Sequence, residues 1–372
     1  MSARAWADID LQAVGHNVRA LRELVAPACV CAVVKANGYG HGAAPVGRAA
    51  LAAGAEWLAV AQVHEAATLR DAGIEAPVLV LAEPRPDEVD DAVDTGARLT
   101  VYSTAAVEAI ARSARRHRRP PIPVHLKVDT GMHRVGCAPD ELVDLALGVD
   151  KRPELRLEGV FTHLPVADEL DNPFTARQLG VFDALVADLR AAGIDPPIVH
   201  AANSAGAIAH PAARYDMVRC GIAVYGLPPA PALAGRVDLH PAMTLATEVS
   251  YVKRVRAGEA VSYGHRYTFP ADTVVATVPI GYADGVFRSL GVAGQEVLVG
   301  GARRPMVGVV TMDQLMVDCG PDATVRQGDP VVLLGRQGDE QITPDEWAER
   351  LGTINYEVVC AIGPRVDRRY RG

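Results

Sequence analysis

The sequence predicts an α/β protein, with a (β/α)8 barrel of the TIM type over residues 1–238 and a mainly β domain over 239–372. Three observations carry this expectation. Up to about residue 230, short apolar runs alternate with helix-periodic segments. Eight of those runs read as strands. Beyond the proline-rich stretch Leu227-Pro228-Pro229-Ala230-Pro231 the rhythm changes to strand-like alternation punctuated by glycine. About the first 10 residues are candidates for pairing with the second domain.

The elements follow in order. Asp10 suits a helix N-cap, and Leu11, Val14, Val18 and Leu21 continue at helical spacing. The strand candidates are 29–35, 57–61, 77–81, 98–102, 123–129, 156–164, 197–202 and 217–224, separated by helical stretches such as Thr104–Arg116 and Phe174–Ala192. Eight β/α units in about 220 residues approach the roughly 250 typical of this barrel. A doubly wound open sheet is the competing architecture, and the count of eight favours closure. After Met243, the runs Thr273–Val278, Gln295–Val299 and Val331–Leu334 read as strands. A helix is expected at Thr343–Leu351, with Pro344 at its first position and Glu346 completing a capping box.

Charge and cysteine usage exclude several classes. The formal net charge is −8, which speaks against a nucleic-acid surface. The basic cluster Arg112, Arg115, Arg116, Arg118 and Arg119 closes a helical stretch before Pro120-Pro121, where cations suit the carbonyl end. The six cysteines form neither a CxxC pair nor a zinc pattern. The N-terminus lacks the apolar core of a signal peptide, and no apolar run approaches a membrane span. A reduced, cytoplasmic protein without nucleic-acid or membrane partners is expected.

Chemistry enters at Val33-Val34-Lys35-Ala36-Asn37-Gly38-Tyr39-Gly40-His41-Gly42. A lysine ends an apolar run that reads as a buried strand, and a glycine-rich turn follows. Desolvation lowers a lysine's pKa and makes it a nucleophile toward aldehydes. Glycines let backbone amides approach a phosphate, to which a tyrosine hydroxyl also donates. Taken alone, the segment fits equally well a lysine snorkelling out of a strand end. Other strand ends add Lys127 and Arg134, His163, Asn203 and Ser204, and Arg219, Gly221 and Ile222. The loops after the seventh and eighth strands of such barrels often bind phosphate, and Ser204 with the Gly221 and Ile222 amides would form that site. A phosphate site opposite a Schiff-base lysine suits pyridoxal phosphate.

Lys35-Ala36-Asn37-Gly38-Tyr39-Gly40-His41-Gly42 resembles the pyridoxal-phosphate attachment segment of alanine racemases. The resemblance continues in order through Lys127 to Arg134, Thr162-His163, Asn203-Ser204, Arg219 to Ile222, Ser262-Tyr263-Gly264, Gly281 to Gly285, Met312-Asp313-Gln314 and Tyr356-Glu357. It implies a racemase of alanine with two bases, Lys35 and Tyr263, one on each face of the α-carbon. It implies that Lys35 carries the cofactor, that Tyr39, Ser204, Gly221, Ile222 and Tyr356 hold its phosphate, and that Arg219 faces the pyridine nitrogen. His163 and Asn203 join the cofactor's surroundings, with His163 linking Tyr263 to Arg219. Arg134, Met312, Asp313, Tyr282 and Tyr263 would contact the amino-acid substrate. Lys127 stands where the family often carries a carbamylated lysine. The family's homodimer, in which Tyr263 comes from the partner subunit, and its supply of D-alanine for peptidoglycan are implied in the same way.

Departures from the family pattern are Pro165 beside His163, Val309 where an arginine is common and Thr311 where a cysteine is common. They bear on specificity and entrance packing. A broad-specificity racemase on the same fold, a related-fold decarboxylase and a non-catalytic pyridoxal-phosphate-binding protein are the alternatives. The chain shows no cysteine-bearing substrate loop that would support the decarboxylase, and its long β domain with Tyr263 and Tyr356 argues against the carrier.

Overall fold

The computed structural model describes residues 4–372. It divides into a barrel unit, Ala13–Gly38 with Ala43–His240, and a β unit containing the described residues up to Gln12, Tyr39–Gly42 and Pro241–Gly372. No described helix is long and apolar enough to cross a membrane.

Eight parallel strands form the barrel sheet, and their spatial order follows the chain. They are Cys29–Val33, Trp57–Val60, Val78–Val80, Arg98–Val101, Ile122–Lys127, Leu155–Phe161, Ile198–His200 and Met217–Cys220. The last returns to pair with the first, Cys29 opposite Met217 and Ala32 opposite Cys220. Between the seventh and eighth there is no ladder, and the seam is bridged by the Asp216 and Arg219 amides donating to Val199 O and Ala202 O, each at 3.0 Å. The sheet is thus a nearly closed barrel. Its strands are buried on both faces, as helix-covered parallel sheets require, which explains the continuous apolar runs.

Several elements stop earlier than the apolar pattern suggests. The first strand ends at Val33, because Ala36, Asn37, Gly38 and Tyr39 take φ of 51°, 51°, 64° and 50°. The expected glycine-rich turn is therefore a left-handed one that conscripts three residues with side chains. The seventh strand shrinks to Ile198–His200, because Asn203 Oδ1 accepts from Gly206 N at 2.9 Å and caps the helix Ser204–Ala209. The eighth stops at Cys220, and a 3-10 turn takes Ile222–Tyr225.

In the β unit, Ala5–Asp10 pairs antiparallel with Met243–Glu248 and parallel with Asp367–Arg371, inside a 10-stranded sheet. Its core gathers Leu298, Leu333, Leu334, Trp347 and Val358. The helix Pro344–Leu351 carries the expected box: Thr343 Oγ1 accepts from Glu346 N at 3.2 Å, and Glu346 Oε1 accepts from Thr343 N at 3.1 Å. A further helix, Asn355–Cys360, was not anticipated from the sequence. The segment Tyr39–Gly42 lies against it so closely that a Cβ on Gly40 would sit 2.4 Å from Val359 O. That approach leaves the Tyr39 and Tyr356 rings 6.2 Å apart.

The barrel interior is polar below its mouth. His125 and His200 are fully buried. Burial pushes both below the usual imidazole range, although Glu158 pulls His125 back upward. Glu158 is held down at about 2, where the His125 hydrogen bond and the Arg98 charge outweigh its own desolvation. Both imidazoles stay neutral in the folded chain, whereas the unfolded chain binds protons on them once the pH falls through about 6.5. Stability should therefore decline as the pH drops from 6.5, by up to about 1.4 kcal/mol per pH unit for each histidine. Glu158 adds a further loss as the pH falls through its unfolded and then its folded value. Urea midpoints followed from pH 8 to pH 4 should show this slope, and a flat profile across pH 6.5 to 5 would mean that both histidines are charged in the fold.

Candidate active site

The C-terminal ends of the barrel strands carry an unusual density of positive charge. Lys127 closes its strand and is buried. Burial, and then the charges of Arg219 and Arg134, bring it down to about 8, with Asp129 opposing and Lys35 adding to the fall. His163 is driven well below its ordinary value by burial and by Arg219, Arg134, Lys127 and Lys35. Lys35, Arg134 and Arg219 thus each lie within electrostatic reach of both Lys127 and His163.

Arg219 is the most constrained of them, with 4 % of its surface exposed. One terminal nitrogen, Nη1, donates to His200 Nδ1 at 2.8 Å. The other, Nη2, donates to Thr162 O at 2.8 Å and Ala201 O at 2.9 Å, and faces His163 Nδ1 at 3.4 Å. The guanidinium also lies 5.1 Å above the Phe161 ring, which takes the Lys127 ammonium at 5.4 Å and stacks on His200 at 4.6 Å. Burial lowers Arg219 to about 10, and no carboxylate is among the charges that act on it. A cation buried this way without a carboxylate partner is costly. The arrangement suits an anionic or electron-rich ligand.

Around Lys35, the left-handed turn is held at three points. Gly38 N donates to Val34 O at 2.8 Å, Ala43 N to Asn37 Oδ1 at 3.0 Å, and Ala36 N to Glu65 Oε1 at 2.6 Å. Left-handed geometry costs about 1–2 kcal/mol for each residue bearing a Cβ, so the turn persists only because these bonds impose it. Across the mouth, buried Ser204 Oγ accepts from Gly221 N at 2.9 Å and from Ala223 N at 3.5 Å. Both acceptances leave the hydroxyl hydrogen to be donated elsewhere, as a phosphate oxygen would require. Asn203 is committed, its Oδ1 as a helix cap and its Nδ2 donating to Leu164 O at 3.0 Å, next to Pro165. Against pyridoxal phosphate, the residues present fit: a lysine after a strand end, a buried hydroxyl with a hydrogen to give, and a cation at the Arg219 position.

The other expected site residues lie in the β unit. Tyr263 stands on a small hairpin between Ala260–Val261 and Tyr267–Thr268 and is 70 % exposed. Ser262 before it has φ 65°, and its hydroxyl donates to Val309 O at 2.7 Å. Val309 thus supports the hairpin through its backbone. Tyr282 N donates to Thr311 O at 3.0 Å and Ala283 N to Met312 O at 3.1 Å, bringing Tyr282, Met312 and Asp313 onto one surface. The approach is so close that a Cβ on Gly281 would meet Thr311 O at 2.3 Å. Asp313 accepts from Arg365 at 2.7 Å, and Arg365 pairs with Asp284 at 3.0 Å. Phe161, Thr162 and His200 stand at strand ends in the sequence, but no role was expected of them. Their signal was the strand-end position of His200 in the run His200-Ala201-Ala202-Asn203.

With this geometry in view, the relatives are informative. Residues 9–229 match the family model "Alanine racemase, N-terminal domain", and residues 242–370 match "Alanine racemase, C-terminal domain". An alanine racemase from Symbiobacterium thermophilum is 51% identical over 367 residues, covering 99% of this chain and 97% of that protein. The crystal structure of alanine racemase from D-cycloserine-producing Streptomyces lavendulae superposes with a TM-score of 0.94 at 40% identity, covering 100% of this chain and 98% of that one. A histidine racemase from Leuconostoc mesenteroides shares the fold at a TM-score of 0.91 and 29% identity, covering 100% of this chain and 98% of that one. A barrel whose mouth is set with lysines and a carboxylate-free arginine, followed by a β unit bearing an exposed tyrosine hairpin, thus has full-length relatives that are racemases, and the chain belongs to the alanine racemase family.

Proposed function

We propose that this racemase interconverts L- and D-alanine with pyridoxal phosphate, using Lys35 and Tyr263 as the two bases. The observation that carries this reading is Arg219, buried and without a carboxylate contact at the mouth that also holds Lys35, Lys127 and Arg134. When bound, the cofactor supplies an electron sink that acidifies the substrate's α-hydrogen. Lys35 would hold it covalently, and Ser204, Gly221 and Ile222, with Tyr39 and Tyr356, would take its phosphate on the family's pattern. Arg219 would donate to the pyridine nitrogen, and a fixed cation there opposes protonation of the ring. The sink is then moderate, which suits returning a proton to the same carbon. Arg134 would orient the substrate carboxylate by charge-assisted hydrogen bonds, with Met312, Asp313 and Tyr282 lining its approach.

Two protons must be handled on opposite faces. Tyr263 Oη would take the α-hydrogen from L-alanine, and Lys35 Nζ would serve the D face. Neutral His163, held below its ordinary value, suits a group that accepts from Arg219 at Nδ1 and presents Nε2–H outward. Such a donor would favour the Tyr263 phenolate. The exposed Tyr263, Tyr282 and Met312 of the β unit fit burial against a second copy of the chain, and we place the active enzyme as a homodimer supplying D-alanine for peptidoglycan.

L-Alanine incubated with the cofactor-loaded protein in D2O should lose its α-proton signal while D-alanine accumulates. Serine, lysine and arginine should exchange far more slowly, and comparable turnover of them would replace this reading with a broad-specificity racemase. Tyr263→Phe should suppress solvent exchange from L-alanine by at least about 100-fold while D-alanine still exchanges. Equal losses from both enantiomers would remove Tyr263 as a face-specific base.

Lys127 would be carbamylated. Its neutral amine adds to CO2, forming an N–C bond and releasing one proton, and the resulting anion would face Arg134, Arg219 and Lys35. Burial favours the reaction by enlarging the neutral fraction, since the group titrates at about 8. Carbon-13-labelled bicarbonate should give a carbamate carbonyl signal that weakens as the pH falls below 8 and is absent from Lys127→Ala. A signal that survives Lys127→Ala would assign the carbamate elsewhere.

A further inference from the structure

Arg219 lacks a carboxylate in contact, yet a hydrogen-bonded path leads from it to one. His200 Nδ1 accepts from Arg219 at 2.8 Å, and His200 Nε2 lies 2.9 Å from His125 Nδ1. At the far end, His125 Nε2 lies 3.3 Å from Glu158 Oε2. Chemistry fixes the direction of each bond. An arginine only donates, so His200 Nδ1 is a lone pair and its hydrogen is on Nε2, pointing at His125. An ionised Glu158 only accepts, so the His125 hydrogen is also on Nε2 and its Nδ1 is a lone pair. Both ends demand the same pair of tautomers, and every member of the chain is satisfied.

The path is built into the barrel. The strand Leu155–Phe161 changes register against its neighbour between Val124/His125, where Val124 faces Leu157 but His125 faces Gly159. Glu158 is the residue left over, and such a bulge re-aims a side chain. Glu158 also accepts from Arg98 Nε at 3.2 Å and Arg156 at 2.9 Å. Gly159 provides the space, since a Cβ there would stand 2.4 Å from His125 Nδ1. Trp57 packs edge-on to the same imidazole at 5.6 Å.

We propose that Glu158 is the remote counter-ion of Arg219, acting through His125 and His200 as positioning residues. This rests on the reading that Arg219 faces the pyridine nitrogen. A carboxylate touching Arg219 would bring negative charge to that nitrogen and favour its protonation. Two imidazoles of separation offset the buried guanidinium, through bonds that polarise one another, while keeping that charge away.

The first test needs no variant. In the cofactor-loaded wild-type protein with nitrogen-15 histidine, long-range proton–nitrogen correlation should show His125 and His200 neutral and carrying hydrogen on Nε2. Hydrogen on Nδ1 of either ring, or a doubly protonated ring at neutral pH, would overturn the proposal whether or not the protein racemises alanine. Glu158→Gln keeps an acceptor oxygen but deletes the charge. It should preserve both tautomers, lower kcat by about tenfold and leave KM within about twofold. An unchanged kcat would overturn the proposal. Gly159→Ala should displace the His125 ring and release the His200 tautomer into a mixture. Combined with Glu158→Gln, it should cost no more than the larger single loss, whereas multiplied losses would show independent action and refute the relay.

Discussion

Burying the Arg219 guanidinium is the constraint on which the rest of the barrel mouth depends. A cation taken out of water without a carboxylate in contact must be compensated by carbonyls, imidazoles and an aromatic face, and each of these is present. The consequences spread outward. Phe161 is shared by Arg219, Lys127 and His200, so packing and electrostatics at the mouth cannot be varied separately. His163 is held well below its ordinary value by burial and by the same accumulation of positive charge that, after burial, depresses Lys127. A site assembled this way has a standing preference for anionic ligands, expressed before any ligand arrives.

Strain is concentrated where the chemistry begins. The strand Cys29–Val33 hands over, just before Lys35, to a turn in which Ala36, Asn37 and Tyr39 adopt conformations that glycine tolerates better. The turn is fixed by Glu65, Asn37 and the Val34 carbonyl, and the chain then enters the β unit, where Gly40 permits contact with Val359. Lys35 is thereby set on a short segment whose conformation these hydrogen bonds over-determine. Pre-organisation of this kind limits the positions available to a nucleophile. The departures at Val309 and Thr311 are absorbed differently. Val309 contributes a carbonyl that any residue would supply, and Thr311 Oγ1 donates to Gln314 O at 2.7 Å, holding the turn that presents Met312.

Much of this was legible in the sequence. Continuous apolar runs separated by helical periods are what a doubly covered parallel sheet demands, so eight strands could be counted from burial pattern alone. Capping at Thr343 and Glu346 depends on neighbours three residues apart and was equally readable. Lys35, Lys127, His163, Ser204 and Arg219 could be placed near strand ends, but each alone fits an ordinary structural role, and only their joint resemblance to the racemase motifs pointed to a shared site. What the sequence decided by itself was therefore local: which segments are strands, which helices are capped, and which strand ends bear chemical groups.

The tertiary structure alone decided what those groups meet. Asn203, expected beside the cofactor, also caps a helix and is tied to Leu164, a partner 39 positions away. The helix Asn355–Cys360 is short and weakly patterned, and it exists where Tyr39–Gly42 packs on it. Glu158 lies within a strand, and a register shift turns it toward His125. The reason is common to all three. Local pattern is set by contacts a few residues apart, whereas bulges, seams and buried hydrogen-bond chains join residues tens of positions apart, whose meeting no single segment encodes.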